Sequence, residues 1–113
     1  MMIEIAHLRE IQKITSMPIE IQESIKSILV ILDDSYGEMR NKYSGDGGYI
    51  LIAEKIEDIE ILKQDKLKGL VAEYTDIIEC SEGVNWTSSL FLLSNDFSIV
   101  VVTTEELSKY LVE

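Results

Sequence analysis

Apolar positions along this chain follow two periods, and the changes between them set out its elements. Ile21, Ile25, Ile28, Leu29, Leu32 and Tyr36 fall at offsets 0, 4, 7, 8, 11 and 15, one stripe of a 3.6-residue repeat. Glu20, Glu23, Lys26 and Asp34 take much of the other side, and Pro18 sits where a first helical turn tolerates a missing N–H. The spacing therefore predicts a long helix after Pro18. Val30 and Ile31 widen its apolar surface beyond a normal stripe, so it is expected to be wrapped by a sheet or covered by another chain. Gly37 is expected to end it, and residues 40–48, with three glycines in their last four positions, read as an exposed loop. Before Pro18 the pattern is ambiguous. Ile5, Leu8, Ile11 and Ile14 suit a helical face, whereas Ile3 and Ile5 alternate as in a strand.

Strand signals dominate the rest. Residues 49–53 are short, apolar and rich in strand formers, and Ile56, Ile59, Ile61 and Leu62 then return to helical spacing. Residues 76–80 and 87–93 read as a hairpin around the turn Ser81-Glu82-Gly83-Val84-Asn85. Ser94-Asn95-Asp96 marks a tighter turn into residues 97–102, since Asn and Asp tolerate positive φ. Thr103-Thr104-Glu105-Glu106 offers a capping box, with Thr103 as cap and Glu106 reaching back, followed by apolar Leu107, Tyr110 and Leu111. Residues 99–102 do not alternate, which implies a strand covered on both faces or buried in a dimer interface.

These elements sum to an α+β fold: a mainly antiparallel four-stranded sheet, with a meander at its C-terminal end, a long N-terminal helix, a short crossover helix and a C-terminal helix. The helices are expected mainly on one face. No Pro-rich or low-complexity stretch and no internal repeat divides the chain, so residues 1–113 are expected to form one domain.

Charge narrows the class of partner. The net charge is −11, with 21 acidic and 10 basic residues. That disfavours nucleic acid, whose backbone is bound through Lys and Arg. The imbalance is uneven. Residues 69–113 hold eight acids and a single base, Lys109. Such a field steers a basic protein toward that half, and it also serves plain solubility. No apolar run approaches the ~20 residues of a membrane span, and the first residues do not read as a signal peptide. The single cysteine, Cys80, excludes an internal disulfide, which favours a reducing, cytoplasmic setting.

Candidate chemistry is sparse. Asp33-Asp34 and Glu105-Glu106 are adjacent carboxylates, but neighbours on a helix point about 100° apart and read as solvated helix ends. A nucleophile would have to pair Cys80 with His7, the only histidine, yet no basic neighbour activates the thiol. One Cys and one His are too few for zinc. Asp33, Asp34, Glu38 and Asp46 do not follow a calcium-loop pattern, and Gly45-Asp46-Gly47-Gly48 lacks the Lys and the following helix of a phosphate cradle. No catalytic residue, metal site or cofactor is assigned. The candidate partner surface is Glu73, Asp76, Glu79 and Glu82 with Trp86, read either as an interface anchor or as a cap on the core.

Met17-Pro18-Ile19-Glu20-Ile21, Ile31-Leu32-Asp33-Asp34-Ser35-Tyr36-Gly37, Gly45-Asp46-Gly47-Gly48-Tyr49, Glu73-Tyr74-Thr75-Asp76 and Ser94-Asn95-Asp96-Phe97 together resemble a group of small uncharacterised acidic proteins of Gram-positive Firmicutes, some on mobile elements. The resemblance implies a bacterial cytoplasmic origin and no activity. The sequence leads to a non-enzymatic interaction module for a basic protein, inhibitor- or immunity-like. Homodimerisation through residues 99–102 or the broad helix is compatible with it. The alternative is a small-molecule-binding protein or enzyme with a pocket between the sheet and the long helix and residues 43–48 as a lid.

Overall fold

In the computed structural model, residues 2–42, 48–81, 83–94 and 97–111 are described, with side chains omitted at 31–42, 94 and 97. The elements in chain order are β1 (Ile3–Ile5), a 3₁₀ helix (Leu8–Ile14), α1 (Ile19–Lys42), β2 (Gly48–Ala53), α2 (Ile56–Gln64), β3 (Tyr74–Ile78), β4 (Trp86–Ser94), β5 (Phe97–Thr104) and α3 (Glu105–Ser108). The ambiguous N-terminal stretch thus uses both periods. Ile3 and Ile5 alternate in a short strand, and Leu8 onward turns helical.

The fold is α+β, as expected, but its sheet has five strands in the order β1-β2-β5-β4-β3 and is mixed. β1 pairs antiparallel with β2, β5 with β4, and β4 with β3, whereas β2 and β5 run parallel. A four-stranded, mainly antiparallel sheet therefore undercounts it. The added strand, β1, spans only three residues, too short for periodicity to separate from its helical continuation.

Unbroken apolar runs on the two parallel strands follow from cover on both faces. Successive side chains of β2 and β5 point opposite ways, so Ile50, Ile52, Val100 and Val102 meet Ile21, Ile25 and Leu29 of α1 together with Ile5 and Ile14. Leu51, Ala53, Ile99 and Val101 meet Ile59 and Leu62 of α2, Leu67, Phe91 and Leu111. The helices are not segregated to one face. α1 and the 3₁₀ helix cover one side, and α2 and the C-terminal residues cover the other. Cover within one chain thus accounts for the burial of residues 99–102. Val30, expected beneath a neighbour, is 49% exposed, while Ile31 lies outside the described side chains.

Two boundaries differ from the sequence reading. α1 passes through Gly37 to Lys42, because one internal glycine costs only about 1 kcal/mol relative to alanine. The cap of α3 is Thr104, whose hydroxyl accepts from the Leu107 N–H at 3.2 Å. Thr103, one residue earlier, is fully buried in β5 and donates its hydroxyl to the Ala53 carbonyl at 2.7 Å, bracing the parallel pair. A capping box at Thr103 would take that hydroxyl out of the sheet.

Carboxylates fasten two other helix starts. Asp58 reaches back to the backbone N–H groups of Glu54 and Lys55 at 3.2 and 3.3 Å, which explains a buried aspartate in the first turn of α2. Glu10 accepts from the Ala6 and His7 N–H groups at 2.9 and 3.1 Å and pairs with Lys13 at 2.7 Å. No described helix is long and apolar enough to cross a membrane.

Candidate functional site

β3 forms one edge of the sheet, paired to β4 on its inner side. Four of its five residues are exposed, and only Ile78 is buried. Glu73 and Glu79 flank it and Asp76 is its midpoint, all three exposed, so three of the acids singled out in the sequence lie along one edge. Glu82 lies outside the described residues. Tyr74 and Asp76 share the α1 side of the sheet with Ile78, while Thr75 and Ile77 face the other way. Tyr74 is 56% and Ile77 58% exposed, so the edge offers apolar area on both faces between its carboxylates.

β3 is held in place from within. Its Thr75 hydroxyl is 2.9 Å from the hydroxyl of fully buried Ser89, and the Glu73 N–H donates to the Leu90 carbonyl at 2.8 Å. Trp86 stands opposite Ile78 and is 9% exposed, packed in the α1-side core. It is a core residue rather than part of the exposed edge.

The loop after β3 is anchored at both ends. Glu20, in the first turn of α1, accepts from the Ser81 N–H at 3.1 Å and from its hydroxyl at 2.6 Å through one carboxylate oxygen. Those bonds hold the Glu20 carboxyl below its ordinary pKa. Asn85 accepts from the Cys80 N–H through its side chain at 3.2 Å and from the Glu105 N–H through its carbonyl at 3.0 Å, joining the loop to α3. Beside it, Val84, Asn85, Thr104, Glu105 and Glu106 line an open cleft of about 290 Å³. Sequence reasoning missed Asn85 and Ser81. Neither belongs to a periodic pattern, and Glu20 and Glu105, which they join to the loop, lie 61 and 20 residues from Ser81 and Asn85.

The remaining candidates do not converge. His7 follows β1 at one edge of the sheet and Cys80 follows β3 at the other, with β2, β5 and β4 between them. Four inter-strand spacings of about 4.8 Å separate those edges, too far for a nucleophile and its base. Burial, reinforced by the Glu20 charge, pushes the Cys80 thiol pKa up, which keeps it protonated at neutral pH. Among the described residues no group of three or more His, Cys, Asp or Glu is placed to hold a metal ion. Asp33, Asp34, Glu38 and the Gly45-Asp46-Gly47 turn lie outside the described side chains. Between the sheet and the part of α1 whose side chains are described, the apolar residues named above pack together, and of the supposed lid, residues 43–48, Gly48 opens β2 while 43–47 lie outside the described residues.

No family model, characterised protein or solved structure significantly matches this chain.

Proposed function

We propose that this protein is a non-enzymatic interaction module whose acidic β3 edge takes a basic protein, in the manner of an inhibitor or immunity protein masking a positively charged site. The observation that carries this reading is the alignment of Glu73, Asp76 and Glu79 along one exposed edge strand, in a segment whose single base is Lys109. Exposed carboxylates spaced along one edge accelerate capture of a cationic partner, and exposed Tyr74 and Ile77 supply the apolar contact that charge alone lacks. A bacterial partner met in the cytoplasm is in keeping with the resemblance to acidic proteins of Gram-positive Firmicutes and with the lone cysteine.

The test is calorimetric titration with unstructured oligolysine, comparing the natural chain with the triple variant Glu73→Gln, Asp76→Asn, Glu79→Gln. Binding that weakens with added salt and is lost in the variant supports the reading. Equal binding by both chains removes its basis.

Among the described residues, the small-molecule alternative finds a candidate cleft at Asn85. Its volume of about 290 Å³ lies at the small end of ligand pockets, and Glu105 and Glu106 suit a compact cation. A metabolite that copurifies with the protein and is lost in Glu106→Gln would favour this second reading.

A further inference from the structure

We infer that the partner adds a strand: an extended segment carrying a basic residue opposite Asp76 pairs with the outer edge of β3 and extends the sheet to six strands. This deepens the reading of β3 as the partner surface and rests on it. An edge strand presents unpaired N–H and C=O groups along one side, and a peptide that satisfies them gains affinity from its backbone and specificity from alternate side chains. β3 is such an edge: among the described residues it pairs with β4 alone in the five-strand order, and four of its five residues are exposed. The hydroxyl contact between Thr75 and Ser89 fixes it to β4, so the template is preformed. At about 3.4 Å per residue its five residues match a segment roughly 17 Å long.

The side chains select among possible occupants. Asp76 is the midpoint of β3, with Tyr74 on the same side of the sheet. A second copy pairing antiparallel about that midpoint would set Asp76 against Asp76, with Glu73 and Glu79 adding like charge at the ends. That register is therefore disfavoured for a second copy. Lysine or arginine on the incoming strand opposite Asp76 reverses the sign of that contact. Apolar residues at the intervening positions would lie beside Ile77 on the opposite side. The complement of β3 is thus an extended, amphipathic, basic strand.

The decisive experiment uses the full chain and a short peptide alternating lysine and valine, together with two analogues N-methylated on one or the other alternate set of amides. Methylation along the edge that meets β3 should weaken binding about tenfold or more, and methylation along the outer edge should leave it unchanged. Amide hydrogen exchange at residues 74–78 should slow in an alternating pattern with the unmodified peptide. Both analogues binding as tightly as the parent would overturn strand addition while leaving an acidic docking surface in place. Absence of peptide binding at low salt would overturn both. Asp76→Thr keeps a strand-compatible residue at the midpoint. It should weaken the preference for lysine over glutamate peptides and retain sensitivity to methylation, and either an unchanged preference or a lost sensitivity would also overturn the inference.

Discussion

One carboxylate oxygen of Glu20 receives two hydrogen bonds from Ser81, 61 residues further along the chain, and so ties the start of α1 to the loop that leaves the acidic edge strand. Ser81→Ala removes the 2.6 Å hydroxyl bond and leaves the 3.1 Å backbone bond. The expected result is a rise in the Glu20 pKa toward its ordinary value, read by NMR titration, with faster amide exchange in residues 79–85. An unchanged Glu20 titration would show that the contact is not formed in solution.

Glu10 governs a different pH window. Its hydrogen bond from Lys13, followed by that from the Ala6 N–H, lowers its pKa from 4.5 to about 2 in the folded chain. The unfolded state therefore takes up the proton first, and acid favours unfolding. The contribution is fully present above pH 4.5 and fades as the pH falls toward 2. Glu10→Gln should lower stability at neutral pH and flatten the stability profile within that window, measured by urea titration at successive pH values. A profile parallel to that of the natural chain would contradict the assignment.

The two cores should respond alike to truncation because both are closed. Ile25→Ala on the α1 side should cost about 2–5 kcal/mol, and Phe91→Ala on the α2 side about 3–5 kcal/mol, each side chain being fully buried. Thr103→Val keeps the shape but removes the donor to the Ala53 carbonyl, with an expected loss of about 1–3 kcal/mol, partly restored in Thr103→Ser. Denaturant midpoints measure all four variants. A negligible cost at Phe91 would mean that the second layer does not pack on the sheet.

Much of the architecture was legible because local periodicity matched the final environment. The α1 stripe at Ile21, Ile25 and Leu29 is buried, and the strand patterns locate β2, β4 and β5 within a few residues. Residues 99–102 showed cover on both faces, yet what covers them was not readable, since α2 and Leu111 reach that face through tertiary packing. Gly37 misled because propensity is a weak prior inside a long helix. Thr103 misled because two adjacent threonines offer equivalent caps until the sheet claims one of them. At the candidate site the acids of residues 73–79 stood out as charge. Their arrangement along an edge depends on strand order, which no local pattern encodes.

Asp76 should also guard the edge against self-association. Asp76→Thr is expected to raise the apparent mass with increasing concentration relative to the natural chain in sedimentation, and Asp76→Lys is not. Equal masses for Asp76→Thr and the natural chain would show that the edge needs no charge to stay open.

The most direct test of the acidic edge as the partner surface is a chemical-shift map of the full chain titrated with oligolysine at low salt. The account predicts that the largest changes fall on residues 73–79 and disappear in the triple neutral variant. Changes centred instead on Glu105 and Glu106 beside the cleft, and unaffected by neutralising β3, would contradict it.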